Sequence, residues 1–297
     1  MNNYRMLRII YVIATVAAAA VYPVRGSNNL SCPKWLQPLC TSACVVKNCL
    51  PPLFECLKDS TCSSNLKKMG PCMATLKPSD PLYPYKCMVP DNVKRDSFLH
   101  CVIQEHKCAP ISRNDTRYPK CDMAKIMPEG HITGDKDFRM EDLSGVWYKV
   151  RAWKLGEPFE CEGCQRARFF DNNDTSVSFQ SNWTMNDIDD KPALMSVVSH
   201  MSLRKDGGVG ALYNSGTMFG MNYMEPYMVV KDARADKEPF IFMYVCGSTM
   251  QGNYTTAFVL AQKPTLGTEA ETKVAQVAES IGLRYADFCT NNNTCFN

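Results

Sequence analysis

The chain has 297 residues, 45% of them hydrophobic and 21% charged, with 18 Pro, 16 Gly and 16 Cys. That is enough apolar material for one or two ordinary cores, and it excludes a disordered or collagen-like chain. The formal charge is +3, from 33 basic and 30 acidic residues, but Arg5, Arg8 and Arg25 lie in a removable leader and 30 minus 30 leaves zero beyond it, so no nucleic-acid partner is expected.

Residues 1–26 carry the three parts of an export signal: Arg5 and Arg8 as a positive start, an apolar run over 9–20, and a cleavage zone up to Gly26. The run is shorter than the roughly 20 residues that a helix needs to cross a bilayer. Cysteines behind such a signal imply an oxidising compartment and disulfides, here for Cys32, Cys40, Cys44, Cys49, Cys56, Cys62, Cys72, Cys87, Cys101, Cys108, Cys121, Cys161, Cys164, Cys246, Cys289 and Cys295. The glycosylation sequons at Asn29, Asn114, Asn173, Asn182, Asn253 and Asn292 are compatible with a secretory route.

The first 11 of those cysteines fall between Cys32 and Cys121, which marks residues 27–125 as a Cys-rich helical domain and 126–140 as a linker. Charge divides the chain at the same place. Residues 27–140 carry 16 basic against 11 acidic groups and residues 141–297 carry 14 against 19, so two docked domains of opposite sign are expected. Within the first domain, Cys40-x3-Cys44-x4-Cys49 and Cys56-x5-Cys62 place thiols about one helical turn apart, residues 97–108 read as a further short helix, and Pro51-Pro52 and Gly70-Pro71 read as breaks. Such short pieces bury too little surface to stand without cross-links. Eleven is odd, so one cysteine must reach the second half or stay free. No Cys-x2-Cys pair occurs there, and His100 and His106 lack ligand spacing, so no metal is expected.

Residues 141–265 read as β structure. Eight short β-prone runs (147–153, 166–170, 176–183, 196–203, 210–213, 227–231, 240–246 and 256–262) are separated by Asp/Asn/Gly turns, the pattern of a closed antiparallel barrel or a sandwich. Residues 269–283 follow with Val274, Val277, Ala278 and Ile281 on one helical face. A barrel with a helix on its wall is the lipocalin arrangement, which encloses one small apolar ligand. The fold class is therefore α+β: a disulfide-rich helical domain, an eight-stranded antiparallel lipocalin-type barrel, then residues 266–297 as a C-terminal helix and disulfide-tethered tail.

Nucleotide-binding, zinc-protease and serine-hydrolase signatures are absent from the sequence, so neither a nucleotide nor a metal cofactor is expected. Cys161-Glu-Gly-Cys164 has thioredoxin-like spacing but sits in no βαβ unit, which favours structural disulfides over dithiol chemistry. Glu157, Glu160 and Glu162 form an acidic loop beside it, read as a solvated rim with acid sensing as the alternative. His100, His106, His131 and His200 have no nucleophile or ligand partner in the pattern and are read as hydrogen-bonding or surface residues. Tyr213, Tyr223, Tyr227 and Tyr244 are candidates to line the barrel.

These residues carry a resemblance. Glu141-Asp-Leu-Ser-Gly-Val-Trp147-Tyr148 is similar to the lipocalin Gly-x-Trp opening. The Cys-rich domain, Cys164-Gln165, Leu212-Tyr213-Asn214, residues 240–244, Ser280-Ile-Gly282 and Asn293-Thr-Cys295, in that order, resemble the violaxanthin de-epoxidase family over residues 31–297. The acidic C-terminal extension of the plant enzymes is not seen. The resemblance implies a barrel that takes up an epoxy-xanthophyll and removes its epoxide with ascorbate as co-substrate, or rearranges the epoxide without net reduction. A non-catalytic barrel that binds or transports a carotenoid or lipid is the alternative. By motif, the family's catalytic Asp falls on Met224 in Met224-Glu225-Pro226-Tyr227, and its catalytic Tyr on Leu260. Glu225 is then the expected proton donor, assisted by Tyr213 or Tyr227, with Trp147, Tyr148 and Tyr244 against the ligand. Because neighbours on a strand face opposite ways, Glu225 would replace an acid at 224 only through a bulge at Pro226. The resemblance also implies the thylakoid lumen of a plastid, with secretion as the alternative. Peripheral contact with a lipid membrane and a homodimer complete the expected partners.

Overall fold

The computed structural model describes residues 37–75, 87, 92–108, 132–153, 163–187, 189–249 and 252–296. The expected export signal, the acidic loop with Glu157, Glu160 and Glu162, and His131 lie outside them. So do Cys32, Cys121, Cys161 and the side chain of Cys40.

The Cys-rich domain holds α1 (Gln37–Asn48), α2 (Leu50–Lys58), α3 (Ser60–Thr75) and α4 (Val93–Leu99), the last running on as a π-helical segment, His100–Glu105. Pro51 and Pro52 start α2 rather than break it, since the first helical N–H groups have no partner inside a helix anyway. Pro71 is likewise carried inside α3. The helix read over 97–108 begins earlier, because the Asn92 side chain caps it by accepting from the Arg95 N–H at 2.9 Å. Four disulfides (Cys44–Cys108, Cys49–Cys101, Cys56–Cys62 and Cys72–Cys87) cross-link these pieces around Val45, Leu53, Leu66 and Phe98.

The remainder is a barrel of β1 (Gly145–Trp153), β2 (Gln165–Phe170), β3 (Ser176–Asn186), β4 (Pro192–Leu203), β5 (Ala211–Met218), β6 (Met221–Asp232), β7 (Phe240–Thr249) and β8 (Gly252–Ala261). Each pairs antiparallel with the next, and β1 pairs with both β8 and β2, so the sheet closes and no edge is left open among these eight. A short β9 (Phe288–Thr290), unforeseen in the sequence, extends the β1 edge beyond β2. α5 (Thr268–Ser280) lays Ala270, Val274 and Ala278 on the outer wall against Phe240, Phe242, Ala257 and Val259. Cys164 bonds to Cys295, tying β2 to the tail, and Cys246 and Cys289 are disulfide-bonded as well.

The two ends of the barrel differ. At one end residues 132–144 return beneath it, with Phe138, Met140, Leu143 and Trp147 packed into the interior. At the other end the β3–β4 and β5–β6 hairpins meet the Cys-rich domain. Met185, Met195, Met218 and Met221 point from the strands into the same cluster as Leu53, Leu66, Phe98 and Val102. The helical domain therefore sits across the barrel mouth, and Met side chains suit such a seam because they adapt to irregular gaps. Polar contacts fix its position: Lys68 pairs with Asp189 at 2.7 Å, and His100 Nδ1 lies 2.6 Å from the Gly220 carbonyl. The Gln104 amide exchanges two hydrogen bonds with the Asn222 backbone at 2.8 and 3.0 Å, much as a neighbouring strand would.

Candidate functional site

The inner faces of β3 to β6 show a common order. On β6 the inward residues are Met221, Tyr223, Glu225, Tyr227 and Val229; the first belongs to the mouth cluster, and Tyr227 and Val229 to the interior cluster. On β5 they are Met218, Gly216, Asn214 and Leu212, and on β4 Met195, Val197, Ser199 and Met201. Period-2 alternation thus places a row of polar side chains between two apolar layers.

Within that row, Ser199 Oγ and Tyr223 Oη lie 2.6 Å apart, Asn214 Nδ2 donates to Tyr227 Oη at 3.2 Å, and Tyr227 points its hydroxyl at Glu225 Oε2 from 3.5 Å. Glu225 and Asn214 are each 4% exposed. Gly216 stands opposite Tyr223, and a Cβ there would overlap the phenol ring, so glycine leaves room for it. Burial pushes the Tyr223 phenol up to about 12, the nearby Glu225 charge adds to this, and hydrogen bonds from Ser199 and Asn214 oppose it. Two further polar atoms, Asn214 Oδ1 and Thr256 Oγ1, are buried with no hydrogen-bond partner. Thr256 faces inward on β8 opposite Val245.

Other interior residues keep some exposure: Tyr227 9%, Phe258, Phe179 and Ala167 6% each, against 0% for Phe242, Ala257 and Val259 under α5. Val177, Leu212, Val229, Ile241, Met243 and Val245 of the same interior are likewise at 0%, so the exposure is confined to a few of its side chains. Lys149 belongs to this interior. It follows Trp147 by two residues, pairs with Leu260, and carries its ammonium 4.3 Å from the Phe258 ring centroid. A β-bulge follows, with Val150 as the extra residue, which turns Val150 and Arg151 outward and brings Ala152 back inside. Sequence reasoning missed Ser199, Asn214 and Lys149. Counting by twos from Trp147 would have placed Lys149 inward.

The residues expected from the sequence do not all converge. Glu225 and Tyr227 meet, and Trp147 lies in the base, its Nε1 donating to the Ser144 carbonyl at 2.9 Å. Tyr213 faces out opposite Pro226, with the Arg204 guanidinium 5.9 Å from its ring. Tyr148 is also outward, 6.4 Å from the Phe296 ring, and Tyr244 is buried in the wall beneath α5. Strand parity separates these three from the interior. Among the described residues one group of three metal-type donors converges, Cys49, Cys101 and His106, and its two sulfurs are bonded to each other.

The family model of the VDE lipocalin domain matches residues 41–293. The chain belongs to the violaxanthin de-epoxidase family. It is 24% identical over 258 residues to chloroplastic violaxanthin de-epoxidase of Arabidopsis thaliana, covering 86% of this chain and 53% of that protein. Against the spinach (Spinacia oleracea) enzyme it is 22% identical over 298 residues, covering 99% and 59%. The chain spans little more than half the length of these relatives. Among solved structures it is similar to apocrustacyanin C2, with a TM-score of 0.39 and 15% identity over 50% of this chain and 76% of that one. H1 crustacyanin from the lobster Homarus americanus gives 0.38 and 17%, over 54% and 79%.

Set on the barrel, the two family positions behave differently. Met224 is 61% exposed on the outer face, while Glu225 is the inward carboxyl. Glu225 faces inward without the bulge at Pro226 expected for it to replace an acid at 224, because the β5–β6 pairing runs unbroken from Ala211↔Met228 to Met218↔Met221 and it is position 224 that faces out. Leu260 faces inward and is apolar, directly across from Lys149.

Proposed function

We propose that this member of the violaxanthin de-epoxidase family acts on an epoxy-xanthophyll held in the barrel, with Glu225 as proton donor and Tyr227 beside it. The observation that carries the reading is a buried carboxyl within 3.5 Å of a phenol, on the inner face of a barrel whose other inward residues are largely apolar. An alkoxide is a poor leaving group, so opening an epoxide needs an acid at its oxygen, and Glu225 is the carboxyl that the described inner face offers for that role. In reductive removal both C–O bonds break, the oxygen takes two protons and leaves as water, and two electrons come from ascorbate, which is oxidised to its dehydro form. Rearrangement would need the proton but no reductant. The buried Asn214 Oδ1 and Thr256 Oγ1 suit a ligand hydroxyl, which can both donate and accept.

A non-catalytic carrier is the second reading, favoured by Leu260, which supplies no hydroxyl where the family's motif has Tyr. The chloroplastic relatives and the disulfides support an exported compartment, and we place the protein in the thylakoid lumen, in contact with pigment-bearing lipid. The test is to incubate the purified oxidised chain with violaxanthin in lipid and ascorbate across about pH 5 to 7, where perturbed carboxyls titrate, and to follow pigment and ascorbate together. Turnover that Glu225→Gln abolishes while bound pigment persists supports the enzyme. Pigment that co-purifies without turnover supports the carrier, and neither product nor bound pigment removes both.

A further inference from the structure

We propose that the outer face of β3 to β6 is where a second copy of this chain docks, sheet face against sheet face. Alternate residues from Ser176 to Asn186, Pro192 to Ser202, Tyr213 to Thr217 and Asn222 to Pro226 face outward, and none of them is Lys, Arg, Asp or Glu. The chain is 21% charged, so four adjacent strands without one such side chain on their outer face are a marked departure from the rest. Charges resume at the borders, with Arg166 and Arg168 on β2 and Asp187, Asp190 and Lys191 in the β3–β4 turn. Within the face Leu194, Val198 and Met224 are 61%, 60% and 61% exposed. Polar side chains around them bond to one another. Gln180 Nε2 donates to Ser196 Oγ at 2.8 Å, Thr217 Oγ1 donates to Asn222 Oδ1 at 2.7 Å, and Ser178 Oγ lies 3.3 Å from His200 Nδ1. Covering such a face leaves fewer polar atoms unpaired than covering an ordinary polar surface.

A two-fold contact sets a surface against itself, so any charge on it meets its like, and this face carries none to repel. A lipid surface fits less well, because the face offers no Lys or Arg to anionic head groups. The size also suits a second copy. With strands about 4.8 Å apart and residues about 3.4 Å apart, the face measures roughly 600 Å². Two copies would bury about 1,200 Å², the lower end of stable interfaces.

The outer face is separate from the barrel interior, so this docking holds whether or not a pigment binds inside. For the test, the full oxidised chain is made without N-glycans, because a glycan on the Asn182 sequon would stand on this face. Sedimentation velocity follows its mass at neutral pH from about 1 to 100 µM, the range of weak to moderate self-association. A concentration-dependent shift to twice the mass of one chain is expected. Leu194→Lys and Val198→Lys combined set like charges face to face and should raise the dissociation constant at least about tenfold, a difference of about 1.4 kcal/mol. Val93→Lys, at a residue 86% exposed on the Cys-rich domain, should leave the constant unchanged. Neither variant should move the melting temperature of the dilute chain. A single-chain mass throughout, or a dimer that survives the double variant, overturns the assignment. So does a monomer that binds phosphatidylcholine vesicles and loses them in the double variant, which would give the face to lipid.

Discussion

Phe219 lies under the Arg95 guanidinium, with the Arg95 Cζ 5.7 Å from its ring centroid, and so joins the Cys-rich domain to the hairpin whose second strand carries Glu225. Phe219 has φ +52° and Gly220 φ +77°, the left-handed pair of a two-residue hairpin turn. For a phenylalanine this conformation costs about 1–2 kcal/mol. Burial of the ring, which is 3% exposed, returns about 3 kcal/mol, so packing against the helical domain wins over local preference.

Phe219→Asn puts a favoured residue into that turn and removes the ring. The net expectation is a loss of about 2 kcal/mol in denaturant unfolding, with faster hydrogen exchange in α4. A more stable variant would show that the turn, and not the docked ring, governs this contact. Gly220→Ala should disrupt the seam further, because a Cβ there overlaps the Asp96 backbone carbonyl.

Strand parity makes a direct comparison of two adjacent residues. Met224→Asp should change turnover, pigment binding and stability little, within about 0.5 kcal/mol for an exposed site. Glu225→Gln should remove turnover. If Met224→Asp altered pigment turnover as strongly as Glu225→Gln, the inward assignment of Glu225 would be wrong.

Asp135 fastens the segment beneath the barrel to β6. Burial raises the pKa of its carboxyl, but Lys231 Nζ at 2.7 Å and the N–H groups of Asp137 and Asp232, each at 3.0 Å, outweigh that and hold it below the usual range. A carboxyl lowered on folding stabilises above its unfolded pKa of about 3.9 and loses that contribution as pH falls through the folded value. Asp135→Asn should therefore cost about 2 kcal/mol at pH 7. The gap from the unmodified chain should close as the pH falls below about 4, read from urea midpoints at each pH. A gap that is constant with pH would exclude the charged contacts as its cause.

Tyr223 gives the opposite signature at alkaline pH. Its phenol is neutral in the fold up to about 12, against an ordinary 10, so its contribution is intact below pH 10 and is lost as the pH rises through 12. The stability difference between the unmodified chain and Tyr223→Phe should be flat below pH 10 and narrow above it, by up to about 2 kcal/mol after allowing for partial exposure. Ultraviolet titration checks the same group, since the variant lacks one late-ionising phenol. If no late phenol disappears, Tyr223 is not buried as described.

Much of this molecule is written locally. The eight β-prone runs, the helix with Val274 and Ala278 on one face, and the concentration of cysteines before residue 125 follow from side-chain period and composition, which act over a few residues. The family's ordered motifs were readable for the same reason. The β5–β6 hairpin was not, because its turn is Phe219-Gly220 rather than Asn-Gly or Asp-Gly, and what holds Phe219 there is Arg95, far away in the chain. Pro51 and Pro52 were read as breaks, since sequence alone does not say which helical turn will contain them.

The sequence by itself determined that the protein has an antiparallel β half with a wall helix and a small helical half rich in cysteines, and that Glu225 is the carboxyl beside Tyr227's segment. Tertiary structure decided which side of each strand faces in. Inward and outward residues alternate one by one, so closure of β1 onto β8 and β2 is what separates Glu225, Tyr227 and Lys149 from Tyr148, Tyr213 and Met224. The same closure, by giving the barrel a mouth, set where the Cys-rich domain could bury its apolar face.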